Sequence, residues 1–500
     1  MPTKNARISR QIMTGKTTAP ALHLLIPRRT RWGPFKCVAQ IPNAEKKEMI
    51  SLQRPSAGRW NHDRLGHAAG KGKISAHDIS RVEWLPRTEM PSEELIGKVT
   101  SIVDDSAQTI QDFFVRMLRI NAVNPRMGGP GERERADFLE GFLKDNGFSV
   151  TRVDAKDPEA PGGVRPNISA KLDGRDGKRN LWYISHMDTV PEGSRDLWKT
   201  DPFEPMVKEG KIYARGAEDN GQSLVASLFA LLTLKRLGPR LPYNVGVWLV
   251  ADEEFASNYG IKELLRRRIF RRSDLVVVPD SGSPRGTDIE IAEKSLLWMK
   301  VTTKGKQVHA SLPKKGLNAH RVGMRLATEL DGMLNGKYRK RDKLFDYPVS
   351  SFEPTKKEAN VGNVNTVPGM DVFYFDCRVL PAYSLDDVES DVRKTIGHFE
   401  KKYHATIKFE EVEKEPAGPA TAEDSDVVVL LGKAVSKVAR VKPRFVGIGG
   451  QTVGNLFRRE GIPTAVWSTI DDVPHEPNEY SKIANLINDT KVFAAAPLLA

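Results

Sequence analysis

The stretch Val245-Gly246-Val247-Trp248-Leu249-Val250-Ala251-Asp252-Glu253-Glu254 runs from apolar and small residues straight into three carboxylates. A short unbroken apolar run of this kind reads as a strand buried on both faces. An acidic triplet directly behind such a strand is costly unless it is paired or holds a metal. Adjacent side chains there diverge, so one carboxylate can ligate an ion while its neighbour faces a bound water as general base.

Strand-like runs also occur at Leu181 to Ile184 and Leu275 to Val278, alternating with helical patterns at Gln222 to Lys235 and Ile261 to Arg268. That rhythm predicts an α/β fold, a mostly parallel sheet with helices on both faces. Upstream, Ile96, Val99, Ile102 and Val103 fall at helical spacing, and Phe113, Phe114, Met117 and Leu118 predict a second helix. Glu132 to Leu143 gives a third, closed by Asn146-Gly147.

Four other segments place metal-binding side chains beside such runs. His186 and Asp188 follow the first strand, Asp280 ends another, Asp219 sits in Gly216-Ala217-Glu218-Asp219-Asn220, and His475 lies between Pro474 and Glu476. Ligands gather outside the carboxyl ends of strands in open α/β sheets, and imidazole with carboxylate suits zinc. The one-residue spacing points His186 and Asp188 to the same side, so the Asp188 carboxylate is expected to accept from the imidazole and fix its tautomer. Singly, each residue has an ordinary reading: a surface pair, a helix N-cap for Asp219, a turn residue for Asp280, a surface histidine for His475. Jointly they predict a two-metal hydrolase, because carboxylates gathered in one pocket repel each other unless cations hold them.

At 500 residues the chain is long enough for two or three domains. Residues 1–89 carry 17 Lys and Arg against 6 Asp and Glu, most of the net +13, so the body is nearly neutral. A basic leader over 1–90, disordered, is expected, with the functional chain starting near Met90; an organellar transit peptide is the alternative. The body shows no basic stripe with interleaved aromatics, which argues against nucleic acid. No apolar run approaches the roughly 18 residues that span a bilayer. Cys37 and Cys377 are too few for a disulfide framework, which favours a reducing, cytoplasmic setting, with Cys377 a core residue.

Beyond Glu293 the rhythm changes. A strand (Leu296 to Thr303), a helix (Ala319 to Leu334), two strands (Asn360 to Val367 and Val372 to Val379), a helix (Leu385 to Lys402) and a strand (Thr406 to Val412) predict an inserted α+β unit. The expected division is a catalytic domain over 91–293 and 414–500, interrupted by a unit over 294–413. The catalytic part resumes with a helix over Val427 to Ala439, the loop Gly447-Ile448-Gly449-Gly450, a strand at Thr464 to Ser468 and a closing helix from Tyr480.

The blocks His186-Met187-Asp188-Thr189-Val190-Pro191, Trp198-Lys199-Thr200-Asp201-Pro202-Phe203, Arg215-Gly216-Ala217-Glu218-Asp219-Asn220-Gly221, Asp252-Glu253-Glu254 and His475-Glu476-Pro477-Asn478-Glu479-Tyr480 carry a resemblance over about residues 93–500. Together the chain resembles the dinuclear-zinc amidohydrolases and peptidases, among them succinyl-diaminopimelate desuccinylases, acetylornithine deacetylases, glutamate carboxypeptidases, aminoacylases and dipeptidases. The resemblance implies a zinc-exopeptidase-like three-layer catalytic domain with an inserted α+β lid/dimerisation domain, two divalent ions per chain (zinc, with cobalt or manganese as alternatives) and a homodimer formed through the lid. Asp219 would bridge the ions, His186 and Asp280 complete one site, and Glu254 and His475 complete the other. Glu253 would be the general base and Asp188 would orient His186. His309 would reach a partner's site and steady the oxyanion, while Asn365 and Arg378 would hold the substrate carboxylate. The loop Gly449-Gly450-Gln451-Thr452 would bind the substrate's far end, with Gln451 a departure from the family's usual threonine that changes the hydrogen bonds offered there. The substrate implied is a small carboxylate-bearing amide. Within the class the reading favours an N-acyl amino acid deacylase of the desuccinylase or acetylornithine type, over a dipeptidase or carboxypeptidase. A binding protein that keeps the fold without turnover is the alternative outside the class.

Overall fold

The computed structural model describes residues 92–500. The expectations for the leader 1–90, for a start near Met90 and for Cys37 lie outside the described residues.

Among those residues the largest sheet has eight strands, in the order Val150–Lys156, Val164–Leu172, Tyr243–Val250, Asp176–His186, Leu275–Ser283, Thr464–Thr469, Asp288–Glu293 and Arg444–Ile448. Four adjacent strands, from Tyr243–Val250 to Thr464–Thr469, run parallel. The expected mostly parallel sheet is corrected at its margins. Val164–Leu172 pairs antiparallel with both of its neighbours, and Asp288–Glu293 lies antiparallel to Thr464–Thr469. Too few residues separate Lys156 from Val164 for a crossover helix, so the two strands must turn back on each other.

Side chains alternate between two covered faces. Leu181, Tyr183, Val245 and Val247 point into one cluster with helices Ser92–Asp105, Ala107–Leu118, Arg133–Asp145, Ser223–Leu237, Asp426–Ala434 and Ile483–Ala495. Trp182, Ile184, Trp248 and Val250 point into the other, under helices Ile261–Arg266 and Val453–Arg459. This is a three-layer α/β arrangement, and no helix among the described residues is long and apolar enough to cross a membrane.

Inserted between strands Asp288–Glu293 and Arg444–Ile448 is a second sheet, antiparallel throughout, in the order Ser351–Lys357, Met370–Val379, Ser295–Lys304, Thr406–Glu415. Helices Ala319–Lys337 and Leu385–Tyr403 close a separate core on it, which contains the buried Cys377. The strand expected over Asn360 to Val367 is instead Ser351–Lys357. It is an edge strand whose register shifts between Pro354 and Lys356, the kind of position where a sheet tolerates proline. Of the expected segment only Thr366–Val367 pairs, with Val308–His309. The closing helix starts at Ile483 rather than Tyr480, because Tyr480–Lys482 pairs with Lys211–Tyr213.

Gly246 sits in a close approach between neighbouring strands: a Cβ there would lie 2.4 Å from Trp182 Cζ3 and 2.7 Å from the Ala170 carbonyl oxygen. Gly246→Ala is expected to cost about 1–3 kcal/mol through overpacking, read as a lower urea midpoint with an unchanged slope.

Candidate metal centre

The carboxyl ends of the parallel strands converge on one point. His186 closes Asp176–His186, Asp280 lies in Leu275–Ser283, and Glu253 and Glu254 follow Tyr243–Val250. Asp219 sits in the turn after Gly216, whose φ of +76° favours glycine, and the Asp219–Asn220 peptide is cis. His475 is carried on the loop after Thr464–Thr469. His186, Asp219 and Asp280 offer ligand atoms within 4.8 Å of one another, and so do Asp219, Glu254 and His475. Asp219 belongs to both groups: its Oδ1 is 2.9 Å from His186 Nε2, and its Oδ2 is 3.2 Å from His475 Nε2. Asp280 Oδ1 is 3.5 Å from the same His186 nitrogen, and Glu254 Oε2 is 3.1 Å from His475 Nε2.

The expected bond from His186 to the Asp188 carboxylate is corrected. His186 Nδ1 lies 2.9 Å from the Asp188 carbonyl oxygen and 3.6 Å from its carboxylate. A carbonyl only accepts, so Nδ1 carries a proton, and Nε2 faces Asp219 and Asp280, the nitrogen left to ligate an ion once it is deprotonated. The Asp188 carboxylate instead receives the backbone amides of Glu253 and Glu254, at 3.0 and 3.2 Å, and the Asn124 side-chain amide at 2.7 Å. It thereby fixes the turn that presents both glutamates.

Charge is crowded here. Burial, and then the field of Asp280, push Glu253 well above the usual carboxylate range. Burial and Asp219 push Glu254 up to about 7. Hydrogen bonds to Asp219 and Glu254 raise His475 to about 10. Burial opposes charge on His186, yet Asp280 and its other acidic neighbours outweigh that and raise it well above its ordinary value. Burial likewise opposes charge on Asp219, but the two imidazoles hold it below the ordinary value. The protein alone answers this crowding with protons, and a divalent ion between each imidazole and its carboxylates answers it as well. The donor set fits such ions: two imidazoles, several carboxylates and no thiolate, the choice of zinc, cobalt or manganese. Glu254 Oε1 is buried without a hydrogen-bond partner among the described residues, which leaves it a spare acceptor for a cation.

Beneath the site lies a buried network that sequence reasoning did not identify. Asn124 also donates to Asp252 at 3.2 Å; Arg165, fully buried, donates to Asp252 at 3.2 Å and to Glu132 at 2.8 Å. These residues share no local spacing, so nothing in the sequence joins them. Glu479 accepts the amides of Gly216, Glu218 and Asp219, at 3.0, 2.8 and 3.1 Å, and an Arg215 nitrogen at 2.7 Å. Both lay inside quoted blocks without an assigned role.

The residues expected on the lid are placed apart from the two ligand groups. His309 is exposed on the ribbon Val308–His309, with Nδ1 2.7 Å from Ser311 Oγ. Asn365 lies next to it, its carbonyl accepting the Ala310 amide at 2.8 Å and its side-chain oxygen the Asn363 amide at 2.7 Å. Arg378 forks onto Asp376 at 2.7 and 3.1 Å and reaches the Gly449 carbonyl oxygen at 3.3 Å, so Arg378 and Gly449 do meet. Gly450 has open space around it, with only Ile448 Cδ1 at 3.8 Å from a notional Cβ. The Thr452 hydroxyl caps helix Val453–Arg459 through the Gly454 amide and donates to Glu293 at 2.8 Å. The expectation for Gln451 is corrected: its amide donates to the carbonyls of Lys294 and Glu415, at 2.9 and 3.0 Å, where the chain passes into and out of the inserted unit.

The model of the peptidase family M20/M25/M40 matches residues 182–498. An uncharacterized metallohydrolase of Methanocaldococcus jannaschii is 40% identical over 394 residues, covering 75% of this chain and 96% of its own. A succinyl-diaminopimelate desuccinylase of Sulfurovum sp. is 27% identical over 390 residues, covering 77% and 97%. The crystal structure of human carnosine dipeptidase 1 shares the fold, with a TM-score of 0.62 at 20% identity over 81% of this chain and 98% of that one. Its convergent imidazoles and carboxylates thus have their family: this chain belongs to the peptidase family M20/M25/M40 and is a metallohydrolase.

Proposed function

We propose that this metallohydrolase cleaves the amide bond of an N-acyl amino acid carrying a free carboxylate, in the manner of a succinyl-diaminopimelate desuccinylase or acetylornithine deacetylase. The observation that supports a two-metal mechanism is Asp219, whose two carboxylate oxygens face two different imidazoles. His186, Asp219 and Asp280 would hold one ion, and Asp219, Glu254 and His475 the other. Two bound ions of the zinc class lower the pKa of a water and polarise the amide carbonyl.

The chain's own residues then move the proton. Glu253 stands beside Glu254 on the turn past Tyr243–Val250, within the field of His186, Asp219 and Asp280, and is assigned as the base that takes a proton from the attacking water. It delivers that proton to the amine as the C–N bond breaks. Asp188 keeps Glu253 in place through its backbone amide. The unit over 294–413 is assigned as lid and dimer surface, with His309 steadying the oxyanion and Asn365 and Arg378 holding the substrate carboxylate. For Arg378 this means exchanging or sharing the fork now set on Asp376. Gly449, Gly450 and Thr452 are assigned to the substrate's far end. The desuccinylase relative supports the deacylase choice, and the fold shared with a dipeptidase supports the second reading, hydrolysis of a dipeptide.

Three measurements test this. Assayed side by side, succinyl-diaminopimelate, acetylornithine and simple dipeptides should show the highest kcat/KM for an acylated amino acid; preference for dipeptides selects the second reading. Glu253→Gln should keep its metal and lose about 10²–10⁴-fold in kcat, and an active variant removes the base assignment. In the metal-free protein near pH 7, Glu254 is about half protonated and His475 fully so, and both must deprotonate to ligate. Loading with zinc should therefore release protons, more at pH 6 than at pH 8, and affinity should fall as pH drops through 7. Calorimetry in buffers of differing ionisation heat reads this, and proton-neutral binding contradicts it.

A further inference from the structure

Glu218 and Asn220 flank Asp219 in its turn, and both side chains make long-range bonds. Glu218 is 3% exposed, and its two oxygens each take one backbone amide from the loop that carries His475: Asp471 at 2.6 Å and Val473 at 2.8 Å. The brace is reciprocal, since Glu479, beyond His475 on that loop, takes the amides of Gly216, Glu218 and Asp219. Asn220 faces the other way. Its side-chain amide donates to Asp280 Oδ1 at 2.6 Å and to the Pro279 carbonyl oxygen at 2.7 Å.

We propose that Glu218 and Asn220 are positioning residues that divide the two metal positions between them. Glu218 sets the His475 loop, and Asn220 sets the Asp280 carboxylate. The inference rests on the two-metal reading above. His475 needs such support: it sits at a φ of +63° on an irregular loop, and its side chain is 54% exposed, so little packing holds it. Asp280 has the opposite need. Its oxygen must stay toward His186 although Glu253 and Asp219 crowd it, and a neutral donor holds it there without adding charge. The two residues flank one bridging aspartate in a kinked turn, and their side chains reach different segments, the loop of residues 471 and 473 for Glu218 and the Asp280 strand for Asn220.

Loss of the Glu218 bonds loosens the loop without detaching it, because Asp471 is also held by Tyr480 Oη and Lys482 Nζ, both at 2.8 Å. Stepwise cobalt(II) titration of the metal-free full-length protein, followed by visible absorption, separates the two sites. Wild type should fill in two steps, one abolished by His475→Ala and the other by Asp280→Ala. Glu218→Ala should weaken the His475-dependent step by about 10–100-fold and leave the other in place. Asn220→Ala should weaken the Asp280-dependent step by a similar factor. Glu218→Gln keeps one acceptor oxygen and should fall between wild type and Glu218→Ala; it carries the test if the alanine variant does not fold. Unchanged steps in the variants, or equal weakening of both steps by either one, overturn the division of roles. A wild type that takes up no pair of ions fails the two-metal reading itself, and this inference with it.

Discussion

Two imidazole nitrogens approach opposite oxygens of one aspartate, at 2.9 and 3.2 Å, and the surrounding architecture serves that arrangement. Asp219 stands on a turn, His186 and Asp280 on neighbouring parallel strands, Glu254 just past a third, and His475 on a loop from a fourth. A parallel sheet brings all its carboxyl ends to one edge, so candidate ligands scattered over almost 290 residues need only short excursions to meet. The cost is electrostatic. Buried carboxylates at this spacing cannot all be ionised without positive charge between them, and Glu253 and Glu254 show it in their raised proton affinity.

What keeps the groups crowded is a layer of neutral donors and paired charges behind them. Asp188 takes the amides of the glutamates, Asn124 joins Asp188 to Asp252, and Arg165 answers Asp252 and Glu132 together. A buried arginine paired in this way does little for net stability, but removing either side leaves an uncompensated charge, so the network constrains geometry more than it stabilises the fold. One side chain spans both passages between the sheets: Gln451 bonds the carbonyls of Lys294 and Glu415.

The cluster of candidate ligands was legible because imidazoles and carboxylates are chemically distinctive and three of its segments lie at the ends of strands with unmistakable apolar runs, as in Val245 to Asp252, while Asp219 and His475 stand on a turn and a loop. The three-layer core was legible for the same reason. The antiparallel margin was not: Val150–Lys156 is half-exposed and polar, with no alternation to mark it as a strand. Ser351–Lys357 was hidden by Pro354 and its charged residues, while the β-branched look of Asn360 to Val367 concealed a loop of asparagines and glycine. His186 showed a different limit. The spacing to Asp188 was right, but a side chain and a backbone carbonyl two residues on compete for the same ring nitrogen, and only coordinates decide between them. Partnerships such as Arg165 with Glu132, or Glu218 with the amides of 471 and 473, depend on fold rather than on pattern.

The most direct measurement is anomalous diffraction at the metal's absorption edge from crystals grown with zinc. Two peaks per chain are predicted, one on each side of the Asp219 carboxylate, the first contacted by His186 and Asp280 and the second by Glu254 and His475. A single peak, or a pair in which Asp219 touches only one, would contradict the shared-ligand account.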